Sequence, residues 1–582
     1  VAALERCSHE MRAQSCYTQF ARLGLEYGPY FQGLGWLRQG ELEAVAQLKL
    51  HADVEAGVDR YKIHPVALDQ CFQVLAAALP FPASEAEAKV YMPVSVDEGF
   101  VYQALRSGMH IVSRITEHND DYLKGDIRVF DADENLVAEI IGCKAIRLDQ
   151  RAQGGVRDIV QSLFQPGWIE ADLDFSAMSS TADEHFVILA DAQGLGERLS
   201  ELLAAEGRPY TLVSRQSPCR ESEHRLCLNG DDSTTLAAAL ARVGERCQTS
   251  VRLIYLWGMA TEQSGSAHDP RDAARACKDL LRTMQTIEQS PLAGLARVFL
   301  VTRGAQVQDG DPVSETGLAQ AALWGLGRVM GHQEYADAWA GMIDLDPRAP
   351  ETEARRLLEY LTGGSGEDQV AFRGDVCRVL RLLPLAEQGT SLPARMRRDA
   401  TYLITGGMGS LGLLSAEWLA RCGARHLVLM GRSGLPERTQ WHNLAPDHGK
   451  RAVVDTILQL ENLGVKVDAV GLDVSDADAL AELFECRAAA GLPPLRGVIH
   501  SAGVADPMLL NGMTSEHIEE IFQPKVNGGW ALHQALRTMP LDFFVLFSSV
   551  ASVVTSPGQG AYAAANAYLD ALAHSRRAQG LP

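Results

Sequence analysis

Clustered cysteines are missing from this sequence. Its 11 Cys are scattered singly and no C-x-x-C pair occurs. Zinc ribbons and disulfide frameworks need closely spaced cysteines, so we expect reduced core thiols, no metal site and a reducing, cytoplasmic compartment. Long apolar runs are missing too, since none approaches the ~20 residues of a membrane span. Residues 1–6 have neither the basic nor the apolar segment of a signal peptide, so the sequence indicates neither a membrane protein nor a secreted one.

An excess of positive charge is also absent. The chain has 53 Lys and Arg against 74 Asp and Glu, a net charge of −21. Because binding a phosphate backbone requires a basic face, a nucleic-acid partner is not expected. What is present is an ordinary globular composition, 46% apolar and 22% charged. At 582 residues the chain exceeds the ~250–300 that one core supports, which predicts several domains.

The residue patterns divide the chain into three blocks, 1–150, 156–395 and 396–582, with a linker at 151–155. The first has strand-like runs around one apolar helix over 66–79, an α+β pattern. The second and third alternate short apolar strands with helices, which predicts parallel sheets with helices on both faces.

The third block repeats the second. Residues 186–196 line up with 402–412, 253–258 with 497–503, and 298–303 with 543–548. The first copy lacks two of the loop glycines, and it has neither the Ser-Ser pair nor the later Tyr of the second. We therefore expect it to be a degenerate copy that keeps the fold without the chemistry.

A glycine-rich loop joins the predicted strand 401–405 to the predicted helix 413–421, which is the context a dinucleotide site requires. Its glycines permit a tight turn, and the helix N-terminus attracts a pyrophosphate. The candidate cofactor residues of this loop are Thr405, Gly406, Gly407, Gly409, Ser410, Leu411 and Gly412.

The ends of the following strands predict the rest of the cofactor site. Arg432 and Ser433 stand where an NAD enzyme carries a carboxylate, so a 2′-phosphate and hence NADPH is favoured; the alternative is a solvated surface arginine. Asp473 is a candidate acceptor for the adenine amine. The remaining candidates by the same switch-point rule are Val474, His500, Ser501, Ala502 and Gly503.

Four side chains form a candidate catalytic set. Ser549 follows an apolar strand, Tyr562 opens a helix that carries Asn566 one turn later, and Lys525 lies upstream. A nearby ammonium lowers the pKa of a phenol, which makes it a better proton donor to a developing alkoxide, and a hydroxyl can hold the carbonyl. The set therefore indicates carbonyl reduction by hydride.

Blocks two and three resemble the ketoreductase domain of modular polyketide synthases, a member of the short-chain dehydrogenase/reductase superfamily. The motifs 405–412, 500–503, 547–549 and 562–566 carry the resemblance. General short-chain reductases place Lys four residues after Tyr, whereas this chain has Asn566 there and Lys525 earlier, as polyketide ketoreductases do. The resemblance implies reduction of a β-ketoacyl chain on the phosphopantetheine of an acyl carrier protein, among flanking synthase domains.

The segments 25–34 and 64–73 of block one resemble the second half of a polyketide synthase dehydratase. The implied architecture is multidomain: an α+β hotdog, half of a double hotdog, followed by two α/β Rossmann-like subdomains, the first degenerate. The resemblance further implies a homodimer through the dehydratase region, with Asp69 as a catalytic acid hydrogen-bonded to Gln73. The alternative for Asp69 is a helix cap. The partner histidine motif is not found, so we expect the chain to begin between two hotdogs and to end before the family fold closes.

Product stereochemistry and two other activities stay open. In the family, one type carries Trp where this chain has Val554, and the absence of that Trp together with Pro557 favours the D-hydroxyl product. The other type carries Leu-Asp-Asp, which Ala505-Asp506-Pro507 matches only in part, because Pro507 departs from it. A cofactor-binding epimerase or silent ketoreductase is one alternative. A non-catalytic scaffold that docks carrier protein is the other.

Overall fold

The computed structural model describes residues 2–22, 25, 27–79, 90–119, 121–148, 163–173, 184–216, 219–228, 233–247, 250–259, 268–308, 311, 316–363, 366–385, 395–445 and 448–582. The predicted linker at 151–155 lies outside these ranges. The chain divides into two compact units, Val1–Ser162 and Leu163–Pro582.

The first unit is an eight-stranded antiparallel sheet with the strand order β1-β2-β3-β6-β7-β8-β4, in which β5 also pairs with β8. Its strands are β1 His9–Arg12, β2 Leu34–Gln39, β3 Glu43–Leu48, β4 Val90–Ser95, β5 Glu98–Val101, β6 His110–His118, β7 Tyr122–Phe130 and β8 Leu136–Leu148. Its helices are Ala2–Arg6, Ala13–Arg22, Ala52–Glu55 and Pro65–Ala76. Every second residue of β7 is buried, so one face of the sheet closes a core around the helix Pro65–Ala76.

That helix begins earlier than expected and has a different cap. Pro65 occupies the first turn, and His64 Nδ1 accepts a hydrogen bond from the backbone N–H of Val66 at 3.2 Å. Asp69 therefore lies inside the helix, one turn past its start. The alternative that Asp69 caps the helix is wrong, because the helix already has its cap five residues earlier.

The second unit contains two sheets. The larger has nine strands in the order β12-β11-β10-β13-β14-β15-β16-β17-β9, parallel from β12 to β16 and antiparallel beyond. Its strands are β9 Phe164–Glu170, β10 His185–Leu189, β11 Tyr210–Ser214, β12 Arg225–Cys227, β13 Val251–Tyr255, β14 Ala296–Arg303, β15 Trp339–Leu345, β16 Gln369–Arg373 and β17 Val376–Pro384. Its helices are Leu195–Ala205, Ser233–Arg246, Arg271–Glu288, Thr316–Val329 and Glu353–Thr362.

The other sheet is fully parallel, in the order β20-β19-β18-β21-β22. Its strands are β18 Thr401–Thr405, β19 His426–Gly431, β20 Lys466–Gly471, β21 Leu495–His500 and β22 Phe543–Leu546. Its helices are Ser410–Arg421, Arg451–Asn462, Ala477–Ala489, Ser515–Phe522, Gly528–Leu536 and Gly560–Ala578. The two sheets share one order of neighbours: β10 lies between β11 and β13 in the larger sheet, with β12 and β14 outside them, and β18 lies between β19 and β21 in the smaller, with β20 and β22 outside them.

The two sheets of the second unit share one apolar core. The helix Thr316–Val329 of the larger sheet packs on Gly560–Ala578 of the smaller, and buried residues of both belong to one cluster. Gly325 lies at the contact, where an added Cβ would stand 2.3 Å from the carbonyl oxygen of Ala563. A residue with a side chain does not fit there, so glycine sets how closely the helices approach.

The cysteines differ in part from expectation. Cys219 and Cys227 form a disulfide, so the expectation of reduced thiols throughout is wrong for this pair. The two cysteines are eight residues apart in sequence, but β12 returns Cys227 to within a Cα–Cα distance of 5.8 Å of Cys219. Seven free cysteines are buried, namely Cys7, Cys16, Cys71, Cys143, Cys247, Cys277 and Cys377.

Neither a membrane span nor a metal cluster occurs in the part of the chain that the structure describes. None of its helices combines enough length with enough apolar character to cross a bilayer. No group of three or more His, Cys, Asp or Glu is arranged to hold a metal ion.

Candidate functional site

The glycine loop lies at the carboxyl end of β18, where the strands β18, β21 and β22 all end. Gly406 has a φ of +64°, and a Cβ there would stand 2.8 Å from the backbone N of Ala502. A Cβ on Gly407 would stand 2.6 Å from the carbonyl oxygen of Ile404, and one on Gly412 would stand 2.3 Å from that of Gly406. Larger residues are therefore excluded at three positions of the turn.

Among the described residues, no side chain makes a hydrogen bond to the backbone N–H groups in the first turn of the helix after this loop. Gly409 is its N-cap and supplies no side-chain hydrogen bond. Gly409, Ser410 and Leu411 are exposed, and Leu411 is 60% accessible. The first turn of the helix thus presents backbone N–H groups toward solvent, which is the arrangement that binds a phosphate anion.

The equivalent loop of the second block is arranged differently. The buried carboxylate of Asp191 accepts hydrogen bonds from the backbone N–H of Gln193 at 2.8 Å, Leu195 at 3.3 Å and Gly196 at 2.8 Å. These groups belong to the start of the helix Leu195–Ala205. A carboxylate of the chain itself therefore occupies the position where an anion would bind.

Beyond β19, the structure brings a second cation to the residues predicted for the 2′-phosphate. Arg432 and Ser433 are both exposed. Lys450 Nζ donates to Ser433 Oγ at 2.7 Å, although it is 17 residues further along the chain. The sequence carries no local signal for Lys450, because only the fold of the intervening segment places it there.

The remaining predicted cofactor residues follow the ends of β20 and β21, where short-range hydrogen bonds or close packing fix their side chains. Asp473 Oδ1 accepts from the backbone N and the Oγ of Ser475, at 2.9 and 2.8 Å. Val474 is buried, packed against Gly528. Ser501 Oγ donates to the carbonyl oxygen of Thr405 at 2.7 Å, so its hydroxyl braces the strand end.

His500 is a buried neutral group at the same edge. Its Nδ1 lies 2.7 Å from Thr405 Oγ1, and the backbone N of Ala502 donates to that Oγ1 at 3.4 Å. Burial and the nearby charge of Lys525 lower the pKa of His500 to about 4. Its role is thus to fix the chain beside the glycine loop rather than to carry charge.

Lys525 is at the centre of the candidate catalytic set. It lies in a π-helical turn, Gln523–Asn527, between two α-helices, and is 4% exposed. Its Nζ donates to Asn566 Oδ1 and to the carbonyl oxygen of Phe547, both at 2.9 Å, and lies 5.3 Å from the ring centre of Tyr562. Burial lowers its pKa to about 8, partly offset by Asp570.

The neighbours of Lys525 fix its position. Asn566 is fully buried, and its Nδ2 donates to the carbonyl oxygen of Tyr562 at 2.7 Å. Gly503 lies under the lysine stem, where an added Cβ would stand 2.8 Å from Lys525 Cε. The structure thus brings Lys525, Asn566 and Tyr562 together over the strand end that Gly503 follows.

Ser549 follows β22 and caps a short 3-10 turn, Val550–Ser552. Its Oγ accepts a hydrogen bond from the backbone N of Ala551 at 3.2 Å. An oxygen that accepts this bond still carries its own proton, which it can donate to a carbonyl.

In the first unit, Asp69 Oδ2 accepts a hydrogen bond from Gln73 Nε2 at 2.8 Å. Gln73 Nε2 also donates to the carbonyl oxygen of Phe31 at 3.0 Å, and Tyr17 donates to Gln73 Oε1 at 3.1 Å. Burial raises the pKa of Asp69, partly offset by the bond from Gln73. A carboxyl with a raised pKa, held on a helix, is suited to donate a proton.

Comparison with known families matches three consecutive parts of the chain. Residues 1–155 match a polyketide synthase dehydratase N-terminal domain, 199–382 the Rossmann fold domain of a polyketide synthase extender module, and 400–582 a ketoreductase (KR) domain. A solved A1-type ketoreductase is 31% identical, covers 73% of this chain and is itself covered to 81%, with a TM-score of 0.57. The chain belongs to the modular polyketide synthases. It is a dehydratase–ketoreductase region with a Rossmann-type oxidoreductase domain.

Other relatives of this polyketide synthase region are similar at the same level. The first ketoreductase of the tylosin synthase is 30% identical, covers 73% of this chain and is itself covered to 81%, with a TM-score of 0.56. A phenolphthiocerol/phthiocerol polyketide synthase of Mycobacterium tuberculosis is 31% identical over 85% of this chain. The 6-methylsalicylic acid synthase of Penicillium terrestre is 36% identical over 53% of it. The matched part spans 25% of the first of these two proteins and 17% of the second.

Proposed function

We propose that this region reduces the β-keto group of an acyl chain to a β-hydroxyl with NADPH, while the chain is held on the phosphopantetheine of an acyl carrier protein. One observation carries the proposal. Lys525, Asn566 and Tyr562 are joined at the strand ends that also bear the open glycine loop. A proton donor and a dinucleotide cradle in one crevice are what ketone reduction requires.

The proposed catalytic roles follow from the contacts. Tyr562 donates its phenolic proton to the carbonyl oxygen as negative charge develops there. The Lys525 ammonium, 5.3 Å from the ring centre of Tyr562, stabilises the negative charge that the phenol oxygen gains when it gives up its proton, and Asn566 holds that ammonium in place. Ser549 donates to the same carbonyl oxygen and orients the keto group. NADPH supplies the hydride when it is bound.

The proposed cofactor residues fit a dinucleotide phosphate. The loop from Thr405 through Gly412 would hold the pyrophosphate at the uncapped helix N-terminus. Arg432, Ser433 and Lys450 would contact the 2′-phosphate, because Lys450 bonds to the Ser433 hydroxyl and exposed Arg432 is the adjacent residue in the chain. The strand-end residues from Asp473 to Gly503 would line the adenosine and nicotinamide ribose.

Lys450 supports a prediction about cofactor preference. Replacing Arg432 or Lys450 with Ala should raise the KM for NADPH by about 10-fold each, since each removes roughly one charged contact to phosphate. The KM for NADH, which has no 2′-phosphate, should change by less than about 2-fold. Steady-state rates with both cofactors measure this, with exposed Lys466→Ala as a control. Equal effects on NADPH and NADH would contradict the assignment of the 2′-phosphate site.

The proposed domain division is residues 1–150, 156–395 and 396–582, with the middle domain a degenerate structural subdomain. The carboxylate of Asp191 at its helix N-terminus supports this, because it fills the anion position. Asp344 and Arg373 support it as well. They form a buried ion pair at 2.8 Å at the ends of β15 and β16, which fills part of the same edge of the sheet.

The first domain is proposed to be the second hotdog of a dehydratase, with Asp69 as the acid and Gln73 as its positioning partner. The antiparallel sheet around a central helix and the raised pKa of Asp69 support this. Its histidine partner would come from a preceding hotdog, and water would be eliminated only with that half present. The proposal includes a homodimer through this domain, flanking synthase domains and a cytoplasmic location, which rest on the family resemblance.

Tyr562→Phe tests the reductase proposal. It removes only the hydroxyl, so NADPH should still bind while its oxidation by a β-ketoacyl thioester falls at least about 100-fold. Fluorescence titration measures binding, and absorbance at the nicotinamide band measures turnover. Tyr91→Phe on β4 is a matched control in the other unit. Wild-type-like turnover by Tyr562→Phe would refute the role of Tyr562, and no saturable NADPH binding by the wild type would indicate a scaffold.

A further inference from the structure

We propose that Glu334, Gln285, Gln333 and Arg328 are positioning residues by which the middle domain fixes the two loops beside the catalytic set, and so sets substrate affinity and product stereochemistry. The first loop, residues 504–513, follows Gly503. The second, residues 550–559, joins Ser549 to the helix of Tyr562. The inference rests on the proposed reductase function.

Glu334 binds both loops with one carboxylate. Its Oε2 accepts from the backbone N–H of Leu510 at 2.6 Å, and its Oε1 accepts from that of Gly558 at 2.8 Å. Gly558 is joined to the first loop as well, because its carbonyl oxygen accepts from the backbone N of Met508 at 2.9 Å. The two loops and the carboxylate therefore form a closed set of charge-assisted and neutral hydrogen bonds.

Two more side chains of the middle domain, those of Gln285 and Gln333, donate hydrogen bonds to these loops. Gln285 Nε2 donates to the carbonyl oxygens of Leu510 at 2.8 Å and Met513 at 3.2 Å. Gln333 Nε2 donates to that of Thr555 at 3.1 Å. All of these bonds end on backbone atoms, so they fix the path of the loops independently of the side chains that the loops carry.

Arg328 bonds to the short turn that follows Ser549. It is 4% exposed, and its Nη1 donates to the carbonyl oxygen of Ser552 at 2.5 Å. The hydroxyl of Ser552 donates in turn to the carbonyl oxygen of Ser549 at 3.0 Å. One residue of the middle domain is thus two hydrogen bonds away from the proposed carbonyl-orienting serine.

The local structure explains how these side chains arrive there. The helix Thr316–Val329 continues into a π-helical turn, Met330–Glu334, which changes the direction of the last residues. The same helix approaches the helix of Tyr562 closely at Gly325. The π-turn then carries Gln333 and Glu334 past that contact and onto the loops.

Movement of Gly558 would be transmitted directly to the first loop. Its φ is +77°, and a Cβ there would stand 3.4 Å from Pro507 Cβ, in the segment that departs from the stereochemical motif. Gly560, the first residue of the Tyr562 helix, packs where a Cβ would stand 2.5 Å from Leu510 Cδ2. Releasing the carboxylate would therefore alter both the first loop and the start of the helix that carries Tyr562.

The test compares Glu334→Ala and Glu334→Gln with exposed Glu201→Gln as the control. The assay follows NADPH oxidation with a racemic 2-methyl-3-ketoacyl thioester, and chiral chromatography resolves the four hydroxy products. We expect Glu334→Ala to raise KM by about 10-fold, to change kcat less, and to raise the share of minor products at least about 3-fold, since a loosened wall admits a second substrate orientation. Glu334→Gln keeps one oxygen acceptor and should lie between, and the Kd of NADPH should not change.

The outcomes separate the two proposals. A wild type that reduces no ketoacyl thioester contradicts the proposed function. If the wild type reduces the thioester and Glu334→Ala has the same KM and product ratio, the positioning role of Glu334 is overturned. Equal loss of kcat in both variants with an unchanged product ratio also overturns it, because that is the result of lost folding alone. If Glu334→Ala does not fold, an unchanged product ratio in Glu334→Gln overturns the proposal.

Discussion

The lowered pKa of Lys525 predicts how the stability of the protein depends on pH, and testing this prediction needs neither substrate nor cofactor. Burial brings its pKa from the ordinary value of 10.5 to about 8. At about 1.36 kcal/mol per pH unit, that difference corresponds to roughly 3 kcal/mol of folding free energy. Lys525→Met removes the titrating group at nearly constant length, so the difference in stability between wild type and variant should depend on pH by this amount.

The direction follows from proton binding. Below about pH 8 the lysine is protonated both folded and unfolded, so the wild type carries the full cost of burying the charge. Between about pH 8 and 10.5 the unfolded chain holds a proton that the folded chain has released, and stability rises with pH. Above 10.5 both states are neutral and the cost is gone. The wild type should therefore gain roughly 3 kcal/mol on the variant across this window.

Urea unfolding followed by tryptophan fluorescence measures this. Seven of the eight Trp lie in residues 163–582, so the signal reports mainly on the unit that contains Lys525. Lys525→Met also loses the hydrogen bonds to Asn566 and Phe547, which changes its free energy of unfolding by an amount that does not depend on pH. Only the pH dependence of the free energy of unfolding is therefore compared. Lys466→Met, at an exposed lysine, should track the wild type. Parallel curves for wild type and Lys525→Met from about pH 7 to 11 would refute the burial argument.

Two further predictions concern single positions. Gly503→Ala should lower kcat for NADPH oxidation on the order of 100-fold, because the new Cβ would stand 2.8 Å from Lys525 Cε and displace the ammonium. The control is Gly512→Ala, where the atom nearest to the new Cβ is 3.9 Å away. Equal kcat values for the two variants would contradict the proposed contact between Gly503 and Lys525. Asp191→Ala should lower the free energy of unfolding, measured in urea, by about 1–2 kcal/mol, because three backbone N–H groups lose their acceptor. The kcat/KM of this variant should change little. A variant that folds but is inactive would contradict a purely structural role for this carboxylate.

The local motifs of the site can be predicted from the sequence because each depends on a few neighbouring residues. A strand, a glycine turn and a helix follow one another from Thr401 to Arg421, and no distant contact is needed to recognise them. The pairing of Tyr562 with Asn566 follows from helical periodicity alone. Lys525 is predicted through the family pattern, and the π-turn that aims it at Asn566 has no sequence signature of its own.

The features that could not be predicted all depend on tertiary placement. Lys450 meets Ser433 only because the intervening segment folds back, and Cys219 meets Cys227 only because β12 returns beside it. For Asp69, a cap and a mid-helix acid are both compatible with the sequence, and only the helix start at Pro65 decides between them. Residues in contact but far apart in sequence leave no periodicity to detect.

The two roles proposed for the middle domain, a degenerate cofactor loop and support of the catalytic loops, fall on different helices. Once Asp191 fills the anion position of the middle domain, the start of its first helix no longer offers free N–H groups to a phosphate. The later helix Thr316–Val329 packs on the other copy instead, and its π-turn places Glu334 on the backbone of both loops, 504–513 and 550–559. The proposed loss of binding in one copy and the proposed loop support for the other are compatible because they use different helices of the same domain. On this reasoning, a substitution at Glu334 should affect the product while one at Asp191 should affect only stability.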